Sequence, residues 1–245
     1  MVQRSEKAGP YLRFCVIVLY PLISVLWRRR WIHPERIPSH GPAILAINHI
    51  SYAEPFVVAR VVWERGRSPR FLAKASLFHL PVVGRIMSGA GQIPVHRGTA
   101  DASAALSDAV QALRRGQLVL IYPEGTVTRD PQFWPMAART GIARLALLAP
   151  DVPVIPVGQW GSHRFLDIYA HRFRPLPRKT VSVACGEAVD LSDFRSADPG
   201  APEAEILHAM TDRIMRAVRD QVAILREEPA PDSFYIRPDS GKEHR

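Results

Sequence analysis

Six short apolar runs of strand length constrain this chain most: Ala43–Ile47, Phe71–Ala73, Gln92–Val95, Leu118–Tyr122, Val154–Val157 and Thr180–Ala184. Helical patterns fall between several of them. From Asp101 to Arg115, residues Ala105, Leu106, Ala109, Val110 and Leu113 share one face, and Gly116 supplies a stop. Met136–Ala149 repeats the pattern with Ile142, Leu145 and Leu148. Strands alternating with helices predict a layered α/β domain around a largely buried sheet. Beyond the Pro199-Gly200 break, Pro202–Arg226 reads as a long amphipathic helix with Leu207, Met210, Ile214, Val218 and Leu225 inward. The tail from Glu227 is polar and expected to be loose.

Between the first run and the next helix lies Asn48-His49-Ile50-Ser51-Tyr52-Ala53-Glu54. In a continuous helix, residues five apart do not share a face. With His49 in the turn after a strand and Glu54 in a first helical turn, the two can meet. A carboxylate that fixes the tautomer of an imidazole makes its other nitrogen a general base. Ser51-Tyr52-Ala53-Glu54 is equally a capping-box pattern, in which Glu54 reaches back to the Ser51 amide. The residues alone leave both readings open.

Three further segments change that balance: Gly91-Gln92-Ile93-Pro94-Val95-His96-Arg97, Tyr122-Pro123-Glu124-Gly125-Thr126 and Val154-Ile155-Pro156-Val157-Gly158. In this order, behind the Asn-His block, they resemble the glycerophospholipid acyltransferases, and most nearly the 1-acyl-glycerol-3-phosphate (lysophosphatidic acid) acyltransferases. The resemblance implies a mixed sheet flanked by helices, with His49 as general base and Glu54 as its orienting carboxylate. It implies acceptor binding by Arg97, Lys74, Glu124, Gly125 and Thr126. It also implies a donor thioester, on coenzyme A or acyl carrier protein, a lysophospholipid acceptor, and phosphatidic acid as product. We further expect backbone amides of the Glu124-Gly125-Thr126 turn to hold the oxyanion. His96, beside Arg97 on a strand, points the other way and is expected to be structural. Other acceptors, such as glycerol-3-phosphate, another lysophospholipid or a glycolipid, remain alternatives, as does a non-catalytic membrane-bound homologue. Two departures stand out. Glu54 replaces the family's Asp, and Val127 occupies the place of an arginine, the nearest being Arg129.

The formal net charge is +9, and all but four of the 32 basic residues are arginine. No nucleic-acid-binding motif accompanies them, so an anionic membrane is the expected partner rather than nucleic acid. Phe14–Trp27 carries no charge, is interrupted by Pro21 and is followed by Arg28-Arg29-Arg30. It is short for a membrane span and lacks a cleavage site, which predicts an interfacial anchor with Trp27, Trp31 and the arginines at headgroup level. These expectations divide the chain into an anchor segment 1–35, a catalytic domain 36–195, a packed C-terminal helix 196–228 and a loose tail 229–245. The expected location is the cytoplasmic face of the cell membrane, monotopic or peripheral. Cys15 and Cys185 lie far apart and argue for a reducing compartment. No histidine pair has metal-ligand spacing with a further ligand, so neither metal nor resident cofactor is expected.

Overall fold

The computed structural model describes residues 6, 9–95, 102–167, 169–170, 172–195 and 203–237. Its elements begin with α1 (Pro10–Leu26), β1 (Trp27–Ile32), β2 (Ala43–Ile47), α2 (Glu54–Glu64), β3 (Leu72–Lys74) and α3 (Pro81–Gly89). They continue with β4 (Ile93–Val95), α4 (Ala102–Arg114), β5 (Leu118–Ile121), α5 (Gly141–Leu148) and β6 (Val154–Trp160). The chain then forms β7 (Leu166–Asp167), β8 (Arg172–Phe173), β9 (Lys179–Cys185), α6 (Ser192–Arg195) and α7 (Glu203–Arg226).

All six expected strands are present, and β2 keeps its expected bounds. Five strands form the main sheet in the order β1-β9-β6-β2-β5. β2 runs parallel to both β5 and β6, whereas β9 enters antiparallel to β6. The sheet is therefore mixed. A parallel bridge from Phe71 to Leu120 joins the small β3–β4 pair to the β5 edge. The carboxyl ends of β3, β5, β2 and β6 consequently lie along one rim.

Strand β2 is buried at all five positions because both faces are covered. Leu45 and Ile47 face a core shared with Val58, Val62, Val157 and Ile23. Ile44 and Ala46, on the opposite face, pack with Leu113, Ile142, Met210 and Ile214. Helix α7 carries the expected stripe into this second core, with Leu207, Met210, Ile214, Val218 and Leu225 all buried. It crosses β6 so closely that a Cβ on Gly158 would lie 2.6 Å from the backbone of Gln221. The glycine of the Val154–Gly158 block is a packing requirement.

Two expectations are corrected. The helix expected from Met136 begins at Gly141, since Glu124 and Tyr235 engage the Met136 and Ala137 amides outside any helix. The Trp27–Ile32 stretch, expected as the flank of an anchor helix, is an edge strand paired in parallel with β9. Trp27 is buried with its ring edge-on to Phe165 at 5.1 Å, and the Trp31 indole donates to Glu64 at 2.9 Å. Arg29 and Arg30 pair with Glu64 and Glu227. Helix α1 does show an outward apolar face comprising Phe14, Ile17, Val18, Leu22 and Val25, while Tyr20 and Ile23 enter the core. Among the described residues, no helix is long and apolar enough to cross a membrane.

Candidate active site

The rim formed by the carboxyl ends of parallel strands is where α/β sheets place their chemistry, and His49 stands there, two residues beyond β2. Asn48 fixes the point of departure. Its amide nitrogen donates to the Gln159 carbonyl at 3.0 Å, and its Oδ1 accepts from the Gln159 amide at 2.7 Å. This pair of hydrogen bonds to β6 extends the ladder one rung past the last strand residue. Asn48 stands within the Asn-His motif, but its role cannot be read from the sequence because its partner lies 111 residues away.

Glu54 opens α2 and is fully buried. Its Oε1 engages His49 Nδ1 in a very short contact, while its Oε2 accepts from the Ile50 and Ser51 amides at 2.6 and 3.0 Å. Both contacts that the motif allows are thus present, one on each carboxylate oxygen. The Ser51 hydroxyl does not complete the box in the usual way: it accepts from the Ala53 amide and donates to the Leu166 carbonyl. With Nδ1 committed to Glu54, Nε2 is the nitrogen left for a substrate, and 13% of the imidazole side chain is exposed to meet one.

The Tyr122–Thr128 segment forms the other wall. Glu124 Oε1 accepts from the His49 amide at 2.7 Å, and Oε2 from the Met136 amide at 3.0 Å. The Thr128 amide donates to the His49 carbonyl at 2.6 Å. Both backbone groups of His49 are therefore held by this segment. The Tyr122 ring stacks on the imidazole at 4.5 Å and on Phe71 at 5.9 Å. Among the described residues its buried hydroxyl has no hydrogen-bond partner, and burial, then the nearby Glu54, pushes its pKa well up. Burial also pushes the Glu124 carboxyl well above the usual range; the Met136 and His49 amides oppose this, and Glu54 and Asp130 add to it.

The expected acceptor-binding residues are dispersed. Glu124 is buried with both oxygens on main-chain amides, so in this structure it holds His49 rather than facing a ligand. Gly125 adopts φ +71°, as the turn demands, and its amide is committed to the Tyr122 carbonyl. Of the amides expected to hold an oxyanion, that one is already occupied. Thr126 is half-buried in the same turn. Lys74 is exposed at the end of β3, at the same rim, paired in register with Val95. Arg97 and His96 lie outside the described residues. Val127 is buried, and its carbonyl accepts from Tyr169, whereas Arg129 is exposed.

This arrangement of an Asn-His loop, a distal carboxylate and a Pro-Glu-Gly turn matches the Acyltransferase family model over residues 28–160. The chain belongs to the acyltransferase family. It is 27% identical over 187 residues to the chloroplastic 1-acyl-sn-glycerol-3-phosphate acyltransferase LPAT1 of Arabidopsis thaliana, covering 68% of this chain and 51% of the relative. The Brassica napus BAT2 protein is 25% identical over 185 residues, 68% of this chain and 53% of its own length. This chain thus spans about half the length of these curated relatives. The 1-acyl-sn-glycerol-3-phosphate acyltransferase of Bacillus subtilis is 20% identical over 208 residues, 85% of this chain and 95% of the relative. In fold, the chain resembles the crystal structure of the 1-acyl-sn-glycerophosphate (LPA) acyltransferase PlsC of Thermotoga maritima. The TM-score is 0.61 at 20% identity, covering 90% of this chain and 81% of the other. Within the acyltransferase family frame, Glu54 supplies the carboxylate where the family pattern has Asp. Its extra methylene is accommodated at the start of α2, where one oxygen still reaches the imidazole and the other serves the loop amides.

Proposed function

We propose that this acyltransferase moves a fatty acyl group from a thioester, on coenzyme A or acyl carrier protein, to the free hydroxyl of 1-acyl-glycerol-3-phosphate. The observation that carries the reading is the His49–Glu54 pair at the rim, with Nδ1 committed and Nε2 left to a substrate. His49 takes the hydroxyl proton as the oxygen attacks the thioester carbonyl. The tetrahedral adduct then collapses, the carbon–sulfur bond breaks, and the proton passes to the leaving thiolate. General-base help of this kind is worth about 10²–10⁴ in rate. Glu54 holds the ring and offsets the imidazolium charge, as a carboxylate does in a serine-hydrolase triad. Lys74 at the same rim and Arg97 are the proposed partners of the acceptor phosphate, guanidinium being a bidentate phosphate ligand.

The proposed setting is the cytoplasmic face of an anionic membrane. Support comes from the outward face of α1, where Ile17 and Val25 are 72% and 67% exposed, and from the exposed Leu80, Val82 and Val83 around α3. Helices α1 and α3 touch, so these side chains belong to neighbouring elements. The acceptor reading is tested by incubating purified protein with labelled acyl-CoA and a panel of lysophosphatidic acid, other lysophospholipids and glycerol-3-phosphate. Preferential labelling of lysophosphatidic acid is expected; labelling of another acceptor alone overturns it. Truncation through Trp31 would remove an edge strand, so the anchor is better tested by Ile17→Ser/Val25→Ser. That variant is expected to be released from vesicles by high salt, whereas the parent chain stays bound.

A further inference from the structure

A second basic site lies at the same rim, beyond β6. The strand ends at Trp160, and Gly161 leads into a short 3₁₀ turn, Ser162–Arg164. The small β7–β8 hairpin follows, and β9 enters from this end at Lys179. These segments flank an open pocket of about 340 Å³, lined by Arg164, Arg172, Arg174, Lys179, His163 and Asp167, with Phe133 as its apolar wall; the three arginines are exposed and Lys179 is half-buried.

The charge there is uncompensated. Several arginines elsewhere find partners: Arg29 and Arg60 share Glu64, Arg67 and Arg70 share Glu6, and Arg213 pairs with Asp193. Among the described residues, no carboxylate lies within salt-bridge distance of Arg164, Arg172, Arg174 or Lys179. The one carboxylate in the cavity wall, Asp167, accepts from the Ala170 amide. Four cations sharing a cavity repel one another unless an anion joins them. His163 adds a buried Nδ1 without a partner among the described residues, its ring stacked on Phe133 at 4.6 Å. Burial, then Arg164, lowers its pKa from 6.5 to about 4, so it contributes a neutral polar edge beside the four cations.

The hairpin is tied to both motif loops. Ser51 donates to the Leu166 carbonyl at 2.9 Å, and Tyr169 to the Val127 carbonyl at 3.1 Å. The sheet order sets this cluster on one side of His49 and Lys74 on the other. The two substrates of the proposed reaction both carry phosphate, at different distances from the reacting atoms. In the acceptor, phosphate sits on the glycerol that bears the hydroxyl. In a coenzyme A thioester, the long pantetheine arm separates the phosphates from the acyl carbon.

We propose that this cavity is a phosphate-binding site for the 3′-phosphoadenosine diphosphate end of the coenzyme A donor. The inference rests on the acyltransferase reading for its ligand, not for the chemistry of the site. Arg172 and Arg174 supply bidentate donors, and Lys179 and Arg164 add charge. Phe133 offers an apolar surface beside the purine.

Free coenzyme A, which carries no acyl group and permits no turnover, is the probe for calorimetric titration of the full chain. Dephospho-coenzyme A and inorganic phosphate are the comparison ligands. Arg172→Gln/Arg174→Gln is expected to weaken coenzyme A binding at least tenfold, to raise the donor KM and to leave the acceptor KM unchanged. Lys179→Gln gives a second, smaller loss. The parent chain is expected to prefer coenzyme A to dephospho-coenzyme A, and the double variant to lose that preference. Coenzyme A binding that is equal in parent and variants overturns the proposal. So does a loss confined to binding of anionic phosphatidylglycerol vesicles, which would assign the cluster to lipid headgroups. A chain that binds coenzyme A here yet transfers no acyl group keeps the site and sinks the reaction. A chain that transfers from acyl-CoA with an unaltered donor KM in the variants does the reverse.

Discussion

The loops after β2 and β5 each bury a glutamate beside His49, and the two are used differently. Glu54 divides its oxygens between the imidazole and the loop amides. Glu124 spends both on main-chain amides, one of them that of His49 itself. The first carboxylate sets the ring's tautomer and the second sets where the backbone beneath it stands. Neutralising the first, with one oxygen still on the Ile50 and Ser51 amides, should therefore cost chemistry before structure. Removing the second should cost structure, with chemistry lost as a consequence.

The largest expected effect lies on the first loop. His49→Ala should abolish transfer while leaving the chain folded and its vesicle binding intact. Glu54→Gln keeps size and loses charge, so kcat should fall by a factor on the order of 10² or more, because neither the tautomer nor the imidazolium is stabilised. Glu54→Asp restores the family's own carboxylate and should retain most activity. Full activity in Glu54→Gln would reduce Glu54 to a helix cap and erase the distinction between the two glutamates.

Glu124→Gln is expected to act mainly on stability. One buried amide would face the new –NH₂ instead of an acceptor, a loss of about 1–3 kcal/mol in a denaturant titration. Activity should fall less than in Glu54→Gln, through displacement of His49, with KM for both substrates little changed. The pH dependence separates them further. Burial raises the Glu124 pKa above its unfolded value of 4.5, so the folded chain binds the extra proton. Its contribution is therefore fullest below the unfolded pKa and is lost as pH rises through the raised folded value. Melting curves across that range should show this fall in the parent chain and a flatter profile in Glu124→Gln. An unchanged slope would place the titration elsewhere.

What was legible in the sequence follows the range of the interactions. The β2 bounds, the α4 and α7 stripes and the His49–Glu54 pair are local patterns, set by side-chain period within a few residues. Strand β1 was missed because Arg28–Arg30 carry no strand-like alternation; its identity comes from pairing with β9, about 150 residues on. Asn48 and Glu124 were visible in their motifs, but Asn48's work is done on β6 and Glu124's on the main chain of another loop. Neither partner can be read from spacing. Thr128 gave no signal at all, since its contribution to His49 is a backbone amide. The basic pocket was hidden because its four cations look like any others among so many arginines until the fold brings them to one place.

The smallest expected effect tests whether the second loop is only a support. The Tyr122 ring packs between His49 and Phe71, but its hydroxyl is buried without a partner. Tyr122→Phe retains both stacks and removes an unsatisfied group, so the chain should become more stable by up to about 1 kcal/mol, with kcat nearly unchanged. Tyr122→Leu, by contrast, gives up stacking worth about 0.5–1.5 kcal/mol and should lower both stability and kcat. A Tyr122→Phe variant that gains stability yet loses turnover would change the comparison. The hydroxyl would then be waiting for a substrate atom, and the loop that positions His49 would also take part in the reaction.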